Sequence, residues 1–245
     1  MTSRETTGFL PKDHAADAHV GWRDKAFVGL LAPFQAPFLL KSLRGGSKRE
    51  KARLLRRLDL SEDALPNLGS WKADTGFLHL ICDIIAEKRS QRVVEFGCGA
   101  SSLVIAKALK QAGCPPHISF DQHADFVDST SQWLADQDLD ADIRHAPLQP
   151  IDEDWPGLFY DTGPLENGID LMIIDGPPWT INPMTRGGAA RLFRHLAPGA
   201  TVLLDDAARP GERLVARRWR SEFPDMDFHL WKGGEKGTLI GRKRA

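Results

Sequence analysis

Val93-Val94-Glu95-Phe96-Gly97-Cys98-Gly99 is a short run of strand formers that breaks into glycines, and Ser101 to Lys110 follows with the apolar spacing of a helix. Glycines after a strand let the backbone pass close to a ligand, and the next helix offers N–H groups that no intrahelical acceptor uses. A phosphate, a dinucleotide or the amino-acid half of an adenosyl cofactor can each use that arrangement. Two residues narrow the choice. Ser102 stands where a dinucleotide fingerprint has its third glycine. Glu95, two residues before the first glycine, repels a pyrophosphate but attracts an ammonium. No GK[ST] follows, which argues against a nucleotide triphosphatase.

The chain alternates on both sides of this stretch. Phe77, Leu78, Leu80, Ile81, Ile84 and Ile85 form a helical stripe before it. After it come the runs Ile118 to Phe120, Ile143 to Ala146, Leu171 to Ile174 and Thr201 to Leu204, with helical segments between most of them. Apolar strands without alternation belong to a parallel sheet covered on both faces. The end differs: Met226 to Trp231 and Thr238 to Gly241 flank Lys232-Gly233-Gly234-Glu235-Lys236-Gly237, which reads as a β-hairpin. The expected fold is therefore α/β, a three-layer Rossmann-like sheet with five parallel strands closed by a terminal antiparallel hairpin. The connection 147–169 is long and rich in Pro and Gly, and is expected to be a lid or binding loop.

Composition agrees with one large domain. The 245 residues are 42% hydrophobic and 27% charged with a net charge of −1, so nothing global calls for a nucleic-acid partner. Cys82, Cys98 and Cys114 are far apart and without CxxC pairing, which fits reduced thiols and a cytoplasmic setting. Residues 1–64 are expected to be an extension, loose to about residue 20 and then helical, ahead of a domain at 65–245. Ala26 to Leu40 is apolar but interrupted by Pro33 and Pro37 and too short to span a membrane. A helix or helix pair packed on the domain is expected there. Eight Lys/Arg against Glu50 between residues 41 and 57 fit a solvated helix face, or a membrane-surface contact through 26–57. Oligomeric state is not legible.

A second acid, Asp121, ends the next strand 26 residues after Glu95. A carboxylate there accepts the ribose hydroxyls of an adenosine; alone it reads equally as a helix cap. Paired with Glu95 in this order, the ligand reading prevails. Asp175 ends the fourth strand and Asp205-Asp206 the fifth, opening onto one crevice. Carboxylates converging there need a cation or a proton between them, and Mg²⁺ suits an all-oxygen set. Alternatively, Asp205 or Asp206 caps the following segment or pairs with Arg209 or Arg213. Asp175, Asp205 and Tyr160 are candidate proton acceptors, His195 a helix-end residue. Trp155, Tyr160 and Trp179 are candidate walls of an acceptor pocket.

With these pieces in order, the sequence resembles the class I S-adenosylmethionine-dependent methyltransferases of the methyltransferase domain 24 type, from about Leu65 onward. The likeness rests on Trp71, on Val94 to Ser102, on Asp170-Leu171-Met172-Ile173-Ile174-Asp175-Gly176-Pro177-Pro178, and on Leu196 to Gly199 leading into Leu204 to Glu212. It implies a strand order of 3-2-1-4-5-7-6. It also implies that Glu95, Gly97, Cys98, Gly99, Ser101 and Asp175 hold the methionine end of S-adenosylmethionine, Asp121 the ribose, and Gln122 and Pro147 the adenine. The acid set is similar to that of metal-dependent catechol-type O-methyltransferases, with Asp206 in place of their Asn and no lysine beside Asp175.

The expected activity is transfer of a methyl group to a small-molecule or glycosidic acceptor, a hydroxyl by family weight. The alternatives are a nicotinamide-dependent oxidoreductase and a non-catalytic S-adenosylmethionine-binding module.

Overall fold

In the computed structural model, residues 15–65, 68–152 and 155–245 are described. Most of the loose terminus expected at residues 1–20 lies outside them. The chain opens with helices α1 (Trp22–Ser42), α2 (Lys48–Arg57) and α3 (Thr75–Lys88). Then come β1 (Val93–Phe96), α4 (Ala100–Ala112), β2 (Ile118–Asp121), α5 (Ala124–Ala135) and β3 (Asp142–His145). Strands β4 (Leu148–Asp152), β5 (Trp155–Tyr160) and β6 (Ile169–Ile174) lead to a run of 3-10 turns, Thr185–His195. β7 (Leu196–Leu204), α6 (Pro210–Glu222), β8 (Met226–Trp231) and β9 (Thr238–Lys243) complete the chain.

Seven strands form one sheet in the order β3-β2-β1-β6-β7-β9-β8. β3 to β7 pair parallel through β2, β1 and β6, while β9 runs antiparallel to both β7 and β8. That is the expected 3-2-1-4-5-7-6 once the separate pair β4–β5 is set aside. The pair corrects one expectation: the 147–169 connection is an antiparallel hairpin for much of its length. Pro150, Pro156 and Gly157 hid its strands, since proline lacks a ladder donor and is confined to edges.

Each sheet face has its own core. Leu54, Leu55 and Leu58 join α3 and α4 on one face, so the basic helix α2 packs into the domain through its leucines. The other core gathers the β4–β5 pair, the 3-10 run and α6 around Phe159, Phe193 and Trp219. Leu171 to Ile174 of the central strand β6 are 0% exposed, each contributing about 1.5–3 kcal/mol by burial. The helix expected at 26–40 is α1, a single helix with Pro33 and Pro37 inside it, on which Trp22, Leu30, Phe34 and Leu40 are exposed. Asn182 donates to Asp24 at 2.7 Å and the Arg213 guanidinium covers the Phe38 ring, which tie α1 to the domain. No described helix is long and apolar enough to cross a membrane.

Candidate active site

The strand ends of β1, β2, β6 and β7 meet at a cavity of about 820 Å³, mouth included. At one end its wall is the β1–α4 loop, Gly97 to Ser101, with Asp121 and Gln122 at the end of β2. At the other are Tyr160, Asp175, Pro178, Trp179, Arg186, Asp206 and Arg209. Ser70 to Ala73, just ahead of α3, close the side.

The loop is held by close backbone contact. Gly97 has φ +96°, and a Cβ there would lie 2.8 Å from the Gly176 nitrogen, so this position admits only glycine. Asp121 fixes the same loop by accepting the Cys98 N–H at 3.1 Å, and it also accepts the His123 N–H at 2.9 Å. Asp121 is not the cap of α5, whose N-cap is His123; it ties the two loops together and lines the cavity. Burial pushes its carboxyl up to about 7 despite those donors. Cys98 is buried, its thiol pushed well up by desolvation, and it packs against Thr130. It fills space.

Glu95 is placed differently from expectation. It is 0% exposed, outside the cavity wall, and accepts the Ser102 hydroxyl at 2.5 Å, with His117 3.5 Å away. Ser102 in turn accepts the Gly99 N–H at 3.0 Å. Its carboxylate thus braces the loop from beneath. Pro147 also lies outside the wall, exposed at the β3–β4 junction. Trp155 is a core residue: its indole donates to the Met184 carbonyl and Arg218 covers the ring. His195 pairs with Asn167 away from the cavity.

Tyr160 closes the cavity from β5, fully buried, its hydroxyl without a hydrogen-bond partner. Burial drives its pKa well above the ordinary value, so a phenolate is disfavoured and the role of base does not suit it. Asp175 suits it better. Its side chain is 10% exposed and lines the cavity, and burial raises its pKa although Lys236 and Arg186 oppose the shift.

Asp175, Asp205 and Asp206 do converge, offering oxygens all within 4.8 Å of one another. Three buried cations converge with them. Lys236 Nζ lies 2.8 Å from Asp205 and 3.3 Å from Asp206. Arg186 lies 2.8 Å from Asp206 and 3.4 Å from Asp175. Arg209 bonds Asp206 and lies 3.2 Å from Glu212. Burial favours a protonated Asp206, but Arg209, Lys236 and Arg186 outweigh it and hold the carboxyl below the usual range. Asp205, by contrast, is driven well up by burial. Both Asp206 oxygens and one oxygen each of Asp205 and Asp175 face these cations, while Asp205 Oδ1 makes no hydrogen bond to the described residues. With three cations already among the acids, the set does not fit a further divalent ion.

Sequence reading missed Arg186, Lys72 and Lys236. The first lies in a glycine-flanked segment without helical spacing, the second in a loop, the third in a hairpin turn.

Residues 94–207 match a family described as a methyltransferase domain. The chain has the Rossmann-like fold of the methyltransferases. Its fold is that of a methyltransferase from Geobacter sulfurreducens, at 18% identity and TM-score 0.53, covering 92% of this chain and 98% of that one. It is similarly that of a Podospora anserina methyltransferase solved with S-adenosylhomocysteine, at 10% identity and TM-score 0.57, covering 93% and 99%. The O-methyltransferase TomG from Streptomyces achromogenes, solved with S-adenosylmethionine, matches at 15% identity and TM-score 0.53, covering 92% and 100%. No curated protein matches the chain. The family match and the β9–β8 closure of the sheet count against the nicotinamide alternative.

Proposed function

We propose that the chain transfers a methyl group from S-adenosylmethionine to a hydroxyl of a small-molecule acceptor, with Asp175 receiving the proton. The observation that carries this reading is one cavity joining the Gly97–Ser101 loop and Asp121 at one end to the largely buried Asp175 at the other.

The residues present fit the cofactor. Asp121 offers carboxylate oxygens to ribose hydroxyls. The N-terminus of α4 has N–H groups free of intrahelical acceptors, which favour the methionyl carboxylate. Lys72 lines the same cavity, and its ammonium is buried with no hydrogen-bond partner. Burial lowers its pKa to about 8, a cost that an anionic ligand group relieves. When bound, S-adenosylmethionine supplies a methyl on a sulfonium, and the sulfur keeps the bonding pair as S-adenosylhomocysteine leaves.

The remaining work falls to positioning and to one proton. Trp71, Trp179 and Pro178 give the acceptor an apolar seat, which excludes water and brings its oxygen into line. Asp175 accepts the hydroxyl proton as the new O–C bond forms, and burial, by raising its pKa, makes it a stronger base than an exposed carboxylate. An O-methyltransferase among the fold relatives supports oxygen as the acceptor atom.

Two measurements test this. Calorimetry is expected to show tight binding of S-adenosylhomocysteine and none of NADH. A panel of small hydroxyl and amine acceptors, followed by release of S-adenosylhomocysteine, is expected to turn over on hydroxyls. Tight binding with no turnover on any acceptor favours the non-catalytic module instead.

A further inference from the structure

Lys236 sits in the turn between β8 and β9, and the turn is clamped on both sides. Asp74, the N-cap of α3, accepts the N–H groups of Glu235 at 2.8 Å and Lys236 at 3.0 Å. Ala207 and Ala208, just past β7, donate to the carbonyls of Gly237 and Lys236 at 2.8 and 3.1 Å. Gly76 lets α3 approach, since a Cβ there would lie 2.5 Å from the Gly234 Cα. The clamp delivers a side chain 1% exposed whose ammonium bridges Asp205 and Asp206.

We propose that Lys236, with Arg186 beside it, is a built-in cation standing where a divalent metal would bridge Asp175, Asp205 and Asp206, and that this domain therefore takes no metal there. The argument is one of space and charge. A magnesium ion needs carboxylate oxygens drawn in to about 2.0–2.1 Å around it. Here the ammonium bonds at 2.8 and 3.3 Å fill the gap between two of the carboxylates, and the Arg186 guanidinium spans the third. Four carboxylates, counting Glu212 beside Arg209, already face three cations. Adding a dication would leave the buried cluster with net positive charge, which costs several kcal/mol unless a cation leaves. Lys236 cannot leave freely, because its backbone is held by Asp74, Ala207 and Ala208. The inference concerns the acid cluster alone and stands apart from the identity of the acceptor.

The test is Mn²⁺ binding followed by electron paramagnetic resonance, without substrate or cofactor, on the full chain. Wild type is expected to bind no stoichiometric Mn²⁺. Lys236→Met, checked for folding by circular dichroism, is expected to bind one Mn²⁺ per chain about tenfold or more tightly than wild type, since two freed carboxylates regain a cation. Lys236→Arg is expected to restore the wild-type result, and adding Asp205→Asn to Lys236→Met to abolish the new site. One Mn²⁺ on wild type that Asp205→Asn removes would overturn the proposal. So would a folded Lys236→Met variant that binds none. Should Lys236→Met not fold, the wild-type and Lys236→Arg titrations decide alone. Because metal binding is read without turnover, failure here leaves the methyl-transfer reading untouched, and failure of that reading leaves this one intact.

Discussion

Asp121 accepts the backbone N–H of Cys98 at 3.1 Å, so the acid at the end of β2 also fixes the loop after β1. One carboxylate couples the two halves of the cofactor end. Asp121→Ala removes a charged acceptor from ribose and releases the loop together. Hydrogen bonds to a charged group contribute about 1.5–3 kcal/mol, so affinity for S-adenosylhomocysteine is expected to fall about 10- to 100-fold by calorimetry. Unchanged affinity would rule out this placement of the adenosine.

The same residue gives a pH dependence with opposite signs for stability and for binding. Its pKa rises from 3.8 in the unfolded chain to about 7 in the fold, chiefly by burial. The folded state thus holds a proton that the unfolded state has lost, so its contribution is full below 3.8 and disappears as pH rises through about 7. Ligand hydroxyls favour the charged form, so affinity moves the other way. About a tenfold gain in affinity for S-adenosylhomocysteine is expected between pH 6 and 8, and Asp121→Asn is expected to flatten it. A flat wild-type profile would contradict the assignment.

Asp175→Asn separates binding from proton transfer. The amide keeps the shape of the cavity wall but cannot accept the proton. Loss of a positioned base costs about 10²- to 10⁴-fold in kcat, while affinity for S-adenosylhomocysteine is expected to stay within about fivefold. Full activity in this variant would move the base elsewhere.

Asp74 is not among the residues singled out in the sequence, yet three backbone N–H groups point at it, those of Phe77, Glu235 and Lys236. It is 1% exposed, so its loss leaves buried donors unpaired. Asp74→Ala is expected to destabilise the fold by about 2–4 kcal/mol in urea unfolding, more than a helix cap alone. A change below about 1 kcal/mol would show that the hairpin turn is held without it.

The alternation of strands with helices and the closing hairpin were legible because they rest on local patterns, while the strand order came with the family resemblance. Val93 to Phe96 and Leu171 to Ile174 are runs of strand formers, and glycines follow the first. Asp121 and Asp175 were legible as acids ending such runs. The cations were legible only in part. Pairing of Asp205 or Asp206 with Arg209 is an alternative the sequence offers, and Arg209 does bond Asp206. Arg186 and Lys236 come from a 3-10 run and a hairpin turn, and only folding brings them onto the strand-end acids. The β4–β5 pair was obscured for a related reason, since its prolines and glycines carry turn chemistry while its pairing is long in register and short in pattern.

Glu95 offers the sharpest contrast between sequence and structure. Its position two residues before the first glycine reads as an ammonium partner, but its side chain lies under the loop, bonded to Ser102 and near His117. A bracing carboxylate and a ligand-binding one respond differently to substitution. Glu95→Gln keeps an acceptor for the Ser102 hydroxyl, so S-adenosylhomocysteine affinity is expected to change by less than about threefold. Ser102→Ala and Glu95→Ala each cut the same brace, and their stability losses are expected to be non-additive by about 0.5–3 kcal/mol in a double-mutant cycle. A direct ammonium contact would instead make Glu95→Gln cost about tenfold or more in affinity, with Ser102→Ala nearly silent. Calorimetry and urea unfolding of these variants distinguish the two outcomes, because only the brace links Glu95 to Ser102 energetically.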